Sequence, residues 1–119
     1  MNGLSADTDL SFLFGKVLGQ VCIGYSEAIL HFWDGVSITI MSDIGHVSSS
    51  GEATAVYKTI RPAAPMLVGF LHCSVERASA LPPGTLVLEF SNGDKLEIYD
   101  SSPQYESYLI KHGDNVIVI

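Results

Sequence analysis

The chain has 119 residues, enough for one domain that buries a core without disulfide or metal staples. Hydrophobic residues make up 47% and charged residues 16%, which excludes intrinsic disorder, and no apolar run approaches the roughly 18 residues of a membrane span. Thirteen acidic residues against six basic ones leave a net charge of −7, so phosphate backbones and anionic bilayers are excluded as partners, while a basic protein is compatible.

The chain opens on a polar, acidic stretch from Met1 to Asp9. It has neither the basic start nor the apolar centre of a secretory signal, so a cytoplasmic location is expected. Leu10, Leu13 and Phe14 follow at helical spacing behind Asp7 or Asp9, predicting a short helical turn. A strand is expected near Gly19–Tyr25, then a turn at Gly24-Tyr25-Ser26-Glu27-Ala28. That turn lacks the closing glycine of a nucleophile elbow.

The next stretch, from Leu30 to Ile40, alternates apolar and polar residues on both sides of Asp34-Gly35. This is the signature of a hairpin whose turn uses positive φ. His46–Thr54, rich in Ser and Gly, reads as a loop, and Val56–Ile60 as a further strand. Arg61–Phe70 contains Pro62 and Pro65, which suit the first turn of a short helix. A strand over His72–Ala80 leads into a second hairpin around Asn92-Gly93. There Leu86, Leu88, Phe90, Leu96 and Ile98 share one face, and Glu89, Lys95 and Glu97 the other. The chain closes with Tyr105–Lys111, a turn at Gly113-Asp114 and an apolar strand, Val116–Ile119, that must be paired and buried.

Two stretches echo one another. Gly15, Val17 and Val21 match Gly69, Leu71 and Val75 at one offset. Leu30, Phe32, Gly35, Ile38 and Ile40 match Leu88, Phe90, Gly93, Leu96 and Ile98 at another, four residues longer. The expected architecture is α+β, mostly antiparallel β, with two repeated three-stranded meanders and short helical turns. Residues 1–119 form a single domain, with repeat units about 10–44 and 62–101 and a C-terminal hairpin over 105–119.

The glycine-and-valine element from Gly15 through Val17 to Val21, the Leu-x-Phe-x-Asp-Gly hairpin at Leu30, its second copy at Leu88 and the Tyr105-Glu106-Ser107-Tyr108 element belong together. As a pattern they resemble an uncharacterised bacterial domain-of-unknown-function family of small two-repeat β-rich proteins. The second hairpin departs from that pattern, with Asn92 in place of Asp. The resemblance implies an immunity-protein-like binding role and brings no activity with it.

The residues carry little sign of catalysis. Cys22 and Cys73 form no CxxC pair, and His31, His46, His72 and His112 fall in four segments without ligand spacing. No metal or organic cofactor is expected. Asp43 and Asp100 end the two hairpins at comparable points, where solvated carboxylates are the norm. Tyr105, Glu106 and Tyr108 have a claim as ligand contacts, against a reading in which the rings pack on the core and the hydroxyls stay wet.

The clearest functional signal is a difference between the hairpins. The outward set of the second is Glu89, Ser91, Lys95 and Glu97, with Val87 and Tyr99 at its ends. That of the first is Ile29, His31, Trp33, Ser37, Thr39 and Met41, which lacks formal charge outside histidine and holds the only Trp. Aromatic and Met side chains mark interface cores, where charge is depleted. Two outcomes are open: another part of the chain, the C-terminal strand or Val56–Ile60, covers this face, or a partner does.

The expected function is a non-enzymatic protein-binding domain, a toxin-immunity protein being one form. Its partner is a second copy, giving a homodimer, or a basic toxin-like protein, with Ile29, His31, Trp33 and Met41 at the contact. The alternatives are a small enzyme with a site between the units and a structural homo-oligomer subunit.

Overall fold

The two hairpins seen in the sequence are the centres of two separate sheets. The structure is a computed structural model that describes residues 4–51, 54–82, 84–102 and 106–119. Its described residues form ten strands in two five-stranded, wholly antiparallel sheets. The first sheet is built on β1 (Leu18–Ile23), β2 (Ala28–Phe32) and β3 (Val36–Ile40), each paired with the next. The second is built on β6 (Val75–Leu81), β7 (Thr85–Phe90) and β8 (Lys95–Ile98), paired likewise.

Each sheet is completed by a hairpin from the far side of the molecule. β4 (Ile44–Val47) and β5 (Thr54–Tyr57) leave the end of β3 and pair on β8, giving the order β5-β4-β8-β7-β6. β9 (Tyr108–His112) and β10 (Asn115–Val118) leave the end of β8 and pair on β3, giving β1-β2-β3-β9-β10. Two expectations change here. Residues 46–47 belong to a strand, not to a loop, because their backbone pairs with Lys95 and Leu96. Ile60 belongs to α1 (Ile60–Val68), so the strand after the loop ends at Tyr57.

The sheets face one another across the core. Leu30, Ile38, Ile40 and Ile110 of the first and Leu86, Leu88, Leu96 and Ile98 of the second are fully buried. Phe32 and Phe90 are buried too, with ring centroids 6.4 Å apart and planes at 14°. Their alternation with polar residues is what makes one face of each strand apolar. α1 carries Ile60, Ala63 and Leu67 on one side and buries that side; Pro65 sits inside it and withholds one helical N–H.

Where the sheets meet, the backbone bonds fall in matched pairs. The His72 N–H donates to Leu18 O and the Gly15 N–H to Val75 O. The Leu18 N–H donates to Cys73 O and the Val75 N–H to Lys16 O. The Trp33 N–H donates to Val17 O and the Ser91 N–H to Ser74 O, and Val17 and Ser74 bridge each other directly. Gly15 and His72 both have positive φ, 78° and 70°. These pairs set Leu18 against Val75, an offset of 57 from 75 − 18, not Gly15 against Gly69. Gly69 caps α1 with ordinary helical φ.

The two turns also differ. Asp34 and Gly35 both have positive φ, as Asp-Gly in a tight hairpin requires. In the second hairpin Gly93 alone does, because the loop is a turn closed by Gly93 N–H donating to Phe90 O. No helix among the described residues is long and apolar enough to cross a membrane.

Candidate interaction surface

The outer face of the first sheet follows from its registers, since residues paired across strands share a side. One row runs Cys22, Ile29, Thr39, Leu109, Val118, and the next runs Gln20, His31, Ser37, Lys111, Val116. The predicted Ile29 and His31 therefore lie within a five-strand face, on β2, and both are half-buried. Val116 and Val118 are exposed at its edge. Trp33 follows the end of β2 on the β1 side of the sheet, away from β10, and is 59% exposed. Its indole packs on Gly19, where a methyl group would sit 2.8 Å from Nε1.

The sequence left open whether another segment covers this face. β10 is in the plane of the same sheet and widens the face, and β5 is in the other sheet. Neither covers it. Lys111 is the one formally charged side chain in the two rows. Sequence reading missed the contribution of Leu109, Val116 and Val118, since nothing local joins residues 109–118 to β3.

Met41 separates from this set. It lines a cavity of about 510 Å³ at the end of the first sheet, together with Tyr25, Lys58, Ile60, Arg61 and Pro62. The Arg61 guanidinium lies 5.3 Å from the centroid of the Tyr25 ring.

The outer face of the second sheet differs in kind. Its rows include Lys95, Glu89 and Arg77 in register, then Gly45, Glu97, Val87 and Ser79. The expectation of a wet face holds except at Val87, which is nearly buried and lines a shallow cavity with Phe14 and Arg77. The Tyr99 hydroxyl covers Gly45 and donates to Glu97 at 2.7 Å. Burial and that carboxylate push the Tyr99 hydroxyl up to about 12.

The second predicted group divides. Tyr105 lies outside the described residues. Glu106 is exposed ahead of β9. Tyr108 is fully buried, and its hydroxyl donates to Gly84 O at 2.7 Å. It is a core residue with a satisfied hydroxyl, neither wet nor free to meet a ligand. Desolvation raises the pKa of its hydroxyl and so opposes ionisation, with Asp100 adding to the effect.

The histidines stay apart, and among the described residues no group of three or more His, Cys, Asp or Glu is placed to hold a metal ion. His46 Nε2 meets Asp94 Oδ2 at 3.0 Å and its ring edge meets Phe70. His112 stacks on Phe12 at 3.8 Å. His72 lies in a positive-φ turn before β6, not in a strand. Asp43 and Asp100 also take separate roles: Asp100 accepts from the buried Ser107 hydroxyl, and Asp43 lies 3.9 Å from Lys58. No protein-family model, curated protein or solved structure matches the chain.

Proposed function

We propose that this chain is a non-enzymatic protein-interaction domain, immunity-protein-like in kind, that binds through the outer face of its first sheet. The observation that carries the reading is the contrast between the two outer faces. In a chain of net charge −7, one face is lined with charges, and the other offers Ile29, Leu109, Val116 and Val118 with a single Lys111, and an exposed Trp33 at the end of β2. Exposed apolar area of this kind is costly in water and is characteristic of a contact surface.

The same reading takes the molecule as two copies of one unit, each a three-stranded meander followed by a hairpin. The matched backbone bonds at a spacing of 57 to 58 residues support it. So do the parallel roles of Phe32 and Phe90 and the bulge that each first strand carries at its start. The partner is a second copy of the chain or a basic protein, and the chain acts in the cytoplasm.

The test compares wild type with Trp33→Ala and Ile29→Lys. Light scattering gives the mass in solution, and a pull-down from the native cell gives foreign partners. Truncating a hot-spot Trp costs about 2 kcal/mol or more of binding, enough to weaken assembly some 30-fold. Loss of assembly in both variants with an unchanged melting temperature is the expected result. A wild type that stays monomeric at high concentration, and whose captured proteins are the same for Trp33→Ala, removes the proposal.

A further inference from the structure

The cavity at the end of the first sheet is distinct from that face, and its chemistry points to a ligand of its own. Its volume of about 510 Å³ is in the range of small-molecule sites. Its wall is apolar on the side of Met41, Ile60 and Pro62. Its rim holds Lys58 and Arg61, two of only six basic residues in an acidic chain.

Neither cation is well neutralised. Lys58 meets Asp43 at 3.9 Å, beyond hydrogen-bond distance. Arg61 has no carboxylate partner among the described residues, and the first turn of α1 contains no acid. The Tyr25 ring instead holds the guanidinium in place from one side, at 5.3 Å. A guanidinium over an aromatic face keeps N–H groups that can meet two oxygens at once. Ser42 Oγ already donates to Tyr99 O, so the buried hydroxyl in this wall is satisfied and does not compete for the anion.

We infer that this cavity binds a small organic carboxylate, its oxygens on Arg61 and Lys58 and a flat apolar body against Met41, Ile60 and Pro62. The charge pair selects an anion. The apolar wall selects one attached to a hydrophobic body over a bare oxyanion such as phosphate. The site lies apart from Trp33, so it stands or falls independently of the proposed interface.

The experiment is a ¹H–¹⁵N titration of the whole chain with benzoate, benzamide and inorganic phosphate. Benzoate is expected to saturate, with shifts confined to residues 25–26, 41–42 and 58–62. Benzamide, the same body without the charge, is expected to bind at least tenfold more weakly, and so is phosphate. Arg61→Gln should weaken benzoate at least tenfold and Arg61→Lys less, while Lys95→Gln and Trp33→Ala leave it unchanged. Arg61 is exposed, so the folded spectrum of each variant is its own control. Benzamide or phosphate binding as well as benzoate, shifts spread over the other basic residues, or an unaffected Arg61→Gln each overturns the inference.

Discussion

Tyr108 shows how one side chain can be legible as a residue and misread as a role. Its tyrosine in a Tyr-Glu-x-aromatic element reads as a contact, but the fold seats it at the core with its hydroxyl on Gly84 O. Tyr108→Phe should leave that carbonyl without its donor and cost about 1–3 kcal/mol in a denaturant melt, with no effect on binding. Tyr99 and Tyr108 also set an alkaline limit. Both ionise at higher pH in the folded state than in the unfolded chain, so their contribution is fully present below pH 10 and is lost as pH rises, for Tyr99 through about 12 and for Tyr108 at higher pH still. The melting temperature should fall over that interval, and Tyr99→Phe should flatten part of the fall. Asp94 is a further residue whose role no local pattern announces: it accepts from the Ser49 N–H at 2.8 Å and faces His46 at 3.0 Å. Asp94→Ala should loosen the β4–β5 loop against the second hairpin and lower stability by about 1–2 kcal/mol, read by the same melts.

The elements divide by how local their causes are. The hairpins at Asp34-Gly35 and Asn92-Gly93 were readable because alternation and turn chemistry act within a dozen residues. β4 was not, since Ile44–Val47 mixes Gly and His and becomes a strand only through pairing with β8 on one side and β5 on the other. The C-terminal strand lies between these cases. Its apolar run demands pairing, and the structure supplies β9 as its partner, with Ile119 sealed against Tyr108 by backbone bonds in both directions. A chain stopped after Gly113 would expose the edge of β9 and part of the core beneath Ile117. It should aggregate, seen as lost soluble yield and rising scattered light at a concentration where the full chain stays clear.

At the scale of the whole molecule, the exchanged hairpins tie the two sheets together. β4–β5 completes the second sheet and β9–β10 the first, so neither sheet is whole without chain from both halves. Unfolding should therefore be all-or-none, and hydrogen exchange should give the Ile38 and Leu96 amides the same opening free energy. A lower value for one sheet would show that the halves open separately. The shared core predicts as well that Phe32→Ala and Phe90→Ala each cost about 3–5 kcal/mol, since each removes half of one stacked pair. The sequence by itself determined the antiparallel class, the two central hairpins and the inward positions of Phe32, Phe90, Ile40 and Ile98, because side-chain alternation and turn residues are properties of short stretches. Only the tertiary structure decided that Leu109, Val116 and Val118 join Ile29 on one face, that Met41 turns instead to a cavity with Lys58 and Arg61, and that each closing hairpin pairs across the molecule. Those contacts join residues tens of positions apart, and strand pairing at that distance is chosen by which buried faces fit, not by any pattern along the chain.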